Sequence, residues 1–145
     1  MKLFRNPYLL VVTNLFCNHR CSYCIQQKSS LDVRQRPEKV DVDQLLTFLK
    51  RNRIAKSMSL MGGEATLHPD FEKLMDGLCK LYPKIVFTTN VNGKWYKDFD
   101  KALERMKTWR DNVRFSTTYH AAWMDVDLYI ERIKKMKEAG LTLQQ

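Results

Sequence analysis

The stretch Tyr8-Leu9-Leu10-Val11-Val12-Thr13-Asn14-Leu15-Phe16-Cys17-Asn18-His19-Arg20-Cys21-Ser22-Tyr23-Cys24 joins an apolar run directly to three thiols. Its first half, residues 8–15, is nearly continuous in Leu and Val, the pattern of a strand covered on both faces. The cysteines follow at spacings of four and three. They therefore fall at the carboxyl end of that strand, where α/β folds build their sites.

Working outward, the alternation of strand and helix repeats. Asp41 is placed to cap a helix with Leu45, Phe48 and Leu49 on one face, and Gln44 is set to return the cap. Residues 57–61 read as a short strand stopped by Gly62-Gly63. Residues 70–81 read as a helix with Phe71, Leu74, Leu78 and Leu81 at helical spacing and Pro83 beyond its end. Residues 85–89 form a third strand, 98–110 a third helix and 113–118 a fourth strand. Asp125 caps a last helix, whose stripe is Val126, Tyr129, Ile130, Ile133 and Met136 and whose stop is Gly140; residues 141–143 begin a fifth strand. Such alternation implies an α/β fold of parallel strands joined by crossovers, either an open doubly wound sheet or an arc of a barrel.

The chain has 145 residues, 44% of them hydrophobic, which suits one domain over 1–145 with a real core and excludes a disordered chain. No run of about 18 apolar residues is present, so no membrane helix is expected, and residues 1–7 lack the apolar core of a signal peptide. Three cysteines crowded into eight residues suit a metal or redox site in a reducing, cytoplasmic setting better than a disulfide framework. Cys79 stands apart in a helix and reads as a small buried hydrophobe. The net charge of +9 is uneven: residues 1–56 hold 11 Lys/Arg against four acids, or +7. That segment is either a solvated surface or an attractor for an anionic partner.

A loop folded round a metal brings Cys17, Cys21 and Cys24 together, and soft thiolates favour an iron-sulfur cluster or zinc. A cluster that takes four cysteines but finds three keeps one iron open to another ligand. Zinc is the alternative, with His19 or a distant residue as its fourth ligand. Farther on, the second strand ends in Gly62-Gly63-Glu64. Paired glycines there permit a tight turn and close backbone approach, and the carboxylate accepts hydrogen bonds from an ammonium group. His68 before Pro69 reads as a local hydrogen-bonding residue. Asn90 closes the third strand, where an Asx turn is an adequate explanation of it. Ser116, Thr118 and His120 share a side if the fourth strand persists.

In this order the motifs resemble the radical S-adenosylmethionine (radical SAM) superfamily, with C-x-x-x-C-x-x-C after the first strand, an aromatic residue before the last cysteine and Gly-Gly-Glu after the second strand. The resemblance implies a partial (βα) barrel, here about four units and the start of a fifth strand. It implies that Cys17, Cys21 and Cys24 bind a [4Fe-4S] cluster, and that Gly62, Gly63 and Glu64 hold the amino group of S-adenosylmethionine. The resemblance further implies that Tyr23 lies near the adenine, that Asn90 matches by its place after Thr89, and that Thr118 and His120, favoured over Ser116, contact ribose or carboxylate. The family's usual Pro after the Glu is Ala65 here.

The implied activity is that of an enzyme in which the reduced cluster gives an electron to S-adenosylmethionine. A 5'-deoxyadenosyl radical results and abstracts hydrogen from substrate. The implied partners are a flavodoxin- or ferredoxin-like electron donor and a peptide or nucleotide/RNA substrate. The family's core usually has six strand-helix units, so this chain reads as incomplete on its C-terminal side, or as covered there by another chain or an oligomer. Two non-enzymatic alternatives are a degenerate or truncated cluster-binding protein and a zinc-stabilised binding module.

Overall fold

Three of the four α-helices start where a side chain satisfies orphan N–H groups. In the computed structural model, which describes residues 8–24, 40–52 and 55–144, Asp41 Oδ1 accepts from the Gln44 N–H at 3.0 Å ahead of α1 (Val42–Asn52). Asp98 caps α3 (Phe99–Trp109) through the Lys101 N–H. Asp125 caps α4 (Val126–Glu138) through the N–H groups of Asp127 and Leu128. Asp70, before α2 (Phe71–Leu81), makes no side-chain cap. Its own N–H instead donates to His68 Nδ1 at 3.1 Å, while His68 Nε2 lies 3.0 Å from the Val40 carbonyl. His68, 4% exposed, is thus the local hydrogen-bonding residue that its turn position suggests. Gly140 ends α4 with φ 75°. Its N–H donates to the Lys137 carbonyl and that of Leu141 to Met136, the paired bonds of a Schellman stop.

Between the helices run β1 (Tyr8–Val12), β2 (Ser57–Met61), β3 (Ile85–Thr89), β4 (Val113–Thr117) and β5 (Thr142–Leu143). All neighbours pair in parallel, and the spatial order is β1-β2-β3-β4-β5. A doubly wound sheet reverses its strand order at a switch point. This one does not, so of the two architectures open from sequence the chain adopts the barrel arc, with successive helices α1 to α4 each against the next.

Register separates the two faces of the arc. Leu9, Met58, Ile85 and Val113 align in one row and Val11, Leu60, Phe87 and Phe115 in the next. These rows meet Leu49, Phe71, Leu74, Leu78, Met106 and Trp109 in the core. Arg105 fixes this helical layer from outside: it pairs with Glu72 at 2.9 Å and Asp76 at 3.0 Å, and Asp76 accepts from the Trp109 indole at 2.7 Å.

Two expectations are corrected. The first strand stops at Val12 rather than residue 15, because from Thr13 onward the backbone bends toward the turn after β2. Nor is it covered on both faces: Tyr8, Leu10 and Val12 are 51%, 56% and 39% exposed. They stand on the inner side of the arc, and inward-facing residues of a barrel strand are as apolar as those of a buried one. The last helix is likewise half bare, with Met136 buried but Val126 and Ile130 exposed. Residues 28–39 lie outside the described residues, as does most of the basic excess of the N-terminal part.

Candidate functional site

The backbone beyond β1 and β2 continues their pairing without forming regular strand. The Thr13 N–H donates to the Met61 carbonyl at 3.2 Å, the Gly63 N–H to Asn14 at 2.9 Å and the Glu64 N–H to Phe16 at 2.7 Å. This irregular ladder delivers Cys17 to the strand ends. A Cβ on Gly62 would stand 2.7 Å from the Asn14 carbonyl oxygen, and one on Gly63 only 2.0 Å from that of Phe16. The glycines are therefore required by the cysteine segment's backbone.

Cys17, Cys21, Cys24, Tyr23, Gly62, Gly63, Glu64, Asn90, Thr118 and His120 all line one cavity of about 340 Å³ at the carboxyl end of the sheet. Every site residue expected from the sequence is among them. Ser116 does not line it. Strand β4 ends at Thr117, one residue short of its expected limit. The Thr118 N–H still reaches back to the Thr89 carbonyl at 3.1 Å, so alternation carries past the last strand residue.

At the back of the cavity, Glu64 is 1% exposed. Its Oε1 accepts from the Thr66 hydroxyl at 2.8 Å, the Thr89 hydroxyl at 3.0 Å and the Thr66 N–H at 3.3 Å; Oε2 accepts from the Asn90 N–H at 2.8 Å. Burial pushes its carboxyl above the usual range, against the pull of these donors. The Asn90 side chain does two jobs. Its Oδ1 accepts from the Asn92 N–H at 2.9 Å, the Asx turn, while its Nδ2 donates to Asn18 Oδ1 at 2.9 Å and approaches Cys17 Sγ at 3.8 Å. The following Val91 has φ 53°. Arg132 holds that strained residue by donating to its carbonyl at 2.6 Å.

On the cysteine loop, burial raises the Cys17 thiol's pKa, the His19 N–H pulls it back, and the charge of Glu64 adds to the rise. Its Sγ accepts that N–H at 3.4 Å. At the front, His120 Nδ1 lies 2.8 Å from the Tyr23 hydroxyl and 3.5 Å from Cys21 Sγ. His19 is 3% exposed and stacks on Trp123 with ring centroids 5.7 Å apart. Burial lowers the pKa of both histidines. Cys79 lies away from this cavity, packed against the core, with its thiol pushed up to about 11 by burial and by Asp76.

The donor set fits an iron-sulfur centre. All three loop cysteines are free thiols facing one cavity, and N–H donation to sulfur, as at Cys17, is among the protein's means of tuning such a cluster. Sequence reasoning missed Thr66, Thr89, Asn18 and Asn92. Each is an isolated polar residue with no spacing signal, and its use depends on contacts between segments far apart in the chain.

The chain belongs to the radical SAM superfamily, whose profile matches residues 11–143. The cofactors of that enzyme superfamily are a [4Fe-4S] cluster and S-adenosylmethionine. Among curated relatives, a GTP 3',8-cyclase from Crocosphaera subtropica is 32% identical over 92 residues, covering 61% of this chain. The chain spans only 27% of that relative's length. Crystal structures of Streptococcus suis SuiB share the fold. The form bound to S-adenosylmethionine has a TM-score of 0.54 at 15% identity, and the form bound to precursor peptide SuiA 0.53 at 16%. Each match covers 93% of this chain and 39% or 37% of SuiB. Among the described residues, no helix is long and apolar enough to cross a membrane.

Proposed function

We propose that this chain, as a single domain over 1–145, is a radical SAM enzyme. In this reading Cys17, Cys21 and Cys24 hold the cluster, while S-adenosylmethionine lies between the cysteine loop and the ends of β2, β3 and β4. The observation that carries the proposal is the convergence of all ten expected residues on one cavity. When bound and reduced, the cluster supplies the electron that splits S-adenosylmethionine into methionine and the 5'-deoxyadenosyl radical that abstracts hydrogen from substrate.

The chain's own residues supply binding and orientation. Gly62 and Gly63 bring backbone to the cavity wall. Glu64 carries a buried carboxylate whose desolvation a cationic ligand would offset, and its Oε2, which among the described residues accepts the Asn90 N–H, is the oxygen for the methionyl ammonium. Tyr23 offers a ring for the adenine; Thr118 and His120 offer polar contacts for ribose or carboxylate. Reduction needs an electron donor of flavodoxin or ferredoxin type, and three free thiols suit a cytoplasmic setting.

Glu64→Gln is expected to leave the iron content intact and to weaken S-adenosylmethionine binding by about 1 to 3 kcal/mol, the scale of a charged hydrogen bond. Calorimetry on the reconstituted protein checks it. Equal affinities would remove Glu64 from the ligand's ammonium.

The direct test is anaerobic incubation with S-adenosylmethionine and dithionite, followed by assay for 5'-deoxyadenosine. Slow production above a Cys21→Ala control is expected; none would favour a degenerate cluster-binding protein. For the substrate, the GTP cyclase relative supports a nucleotide and the SuiB neighbour a peptide. GTP, RNA and peptide fractions are added in turn, and the substrate is the addition that accelerates 5'-deoxyadenosine formation.

A further inference from the structure

Apart from the three cysteines as a set, a second group of ligands meets at the front of the cavity. His19, Cys21 and His120 each offer a ligand atom, and these atoms all lie within 4.8 Å of one another. We propose that, in the protein without its cluster, these three residues form a zinc site that shares only Cys21 with the cluster and competes with it.

The Cys21–His120 separation matches that of two ligands on a tetrahedral zinc ion. With Zn–S about 2.3 Å and Zn–N about 2.0–2.1 Å, two ligands on one tetrahedral ion stand roughly 3.6 Å apart; Cys21 Sγ and His120 Nδ1 are 3.5 Å apart. One thiolate with two imidazoles is a donor set that takes zinc, which accepts tetrahedral N and S ligation, and three protein ligands leave a fourth position.

His19 gives the independent sign of a missing ligand. It is 3% exposed, and its Nδ1 has no hydrogen-bond partner among the described residues. A buried polar atom left unmatched in this way calls for an explanation, a bound ion among them. Its Nε2 accepts from Asn92 Nδ2 at 3.2 Å, so coordination at Nδ1 moves the ring proton to Nε2 and turns that amide away; the ring stacks on Trp123 and lies edge-on to His120. A ring so oriented has little freedom to lose on binding. Admission of the ion requires Tyr23, which is 63% exposed, to swing its hydroxyl off His120 Nδ1.

The two metal sets make opposite demands on the same loop. The cluster uses Cys17, Cys21 and Cys24; zinc uses His19, Cys21 and His120. Variants at the four unshared positions, Cys17, Cys24, His19 and His120, therefore separate them, and the failure of one reading is distinguishable from failure of the other.

The experiment is titration of the full-length, cluster-free protein with Co2+ and then Zn2+ under anaerobic conditions. Wild type is expected to bind one ion per chain and to show a thiolate-to-cobalt charge-transfer band that zinc bleaches. Cys17→Ala and Cys24→Ala keep that band and its stoichiometry while failing to load iron. His120→Ala and His19→Gln weaken the ion by at least about tenfold, since losing a ligand costs no less than losing an outer-shell partner, yet load iron like wild type. In wild type, zinc added before iron and sulfide is expected to block cluster assembly. A band indifferent to His120→Ala, whose half-exposed side chain carries little folding risk, overturns the site. So does a band lost in both Cys17→Ala and Cys24→Ala, which would assign the ion to the cysteine triad.

Discussion

Alanine at Cys17, Cys21 or Cys24 is expected to abolish the brown absorbance of the protein reconstituted with iron and sulfide, whereas Cys79→Ala is expected to keep roughly four irons per chain. A cluster held by three thiolates has no spare protein ligand, so each loss removes a third of its anchoring and opens a second iron to solvent. Cys17 is the most deeply tied of the three. It takes the His19 N–H at 3.4 Å and the Asn90 amide at 3.8 Å, and stands within range of the Glu64 charge. Its thiol, raised by burial, must lose a proton to bind iron, and the positive charge of the metal drives that loss. Cys79 differs in every respect. It packs against the core beside Asp76, lies away from the cavity, and its pKa of about 11 keeps it protonated. Iron and sulfide analysis with the visible spectrum reads the result, and a normal spectrum in any one of the loop variants would falsify that cysteine's role.

The reach of the sequence differs between backbone and site. The helices and inner strands were legible because period and punctuation agreed: Phe71, Leu74 and Leu78 repeat at helical spacing and are all buried, and Gly140 stops α4 where a left-handed residue is needed. The exposed side of β1 was not legible, since Tyr8, Leu10 and Val12 are as apolar as their buried neighbours. Composition cannot tell a strand packed on both faces from one bordering a lumen. Within the site, residues tied to a motif were found and those supporting them were not. Thr89 and Thr66 became visible only when the fold placed them against Glu64, and His19, which the sequence offered alongside a distant residue as the fourth ligand of the zinc alternative, met His120 only by the approach of segments about a hundred residues apart. Long-range convergence of isolated polar residues has no local signature.

Gly63 sits against the backbone that leads into the cysteine loop. Gly63→Ala is expected to cost roughly 3 kcal/mol or more and to lower cluster loading in the fraction that folds, because the new methyl has nowhere to go. Its ideal position is 2.0 Å from the Phe16 carbonyl oxygen, 2.4 Å from the carbonyl carbon and 2.8 Å from the Leu15 oxygen, all backbone atoms. A flexible side chain would yield to the intruder, but backbone yields only by moving the segment that carries it. That segment is pinned to the same turn by the Gly63 N–H on Asn14 and the Glu64 N–H on Phe16. Relief therefore breaks one or both bonds and shifts Cys17, the next residue along. Gly140→Ala is the control: its φ of 75° costs the methyl about 1 kcal/mol, but nothing lies within 4 Å of the added carbon. It should lower the unfolding midpoint modestly and load iron as wild type does. Urea unfolding of the metal-free proteins, alongside iron content after reconstitution, measures both. If Gly63→Ala matches Gly140→Ala on both readings, the turn is not what holds the cysteine loop in place.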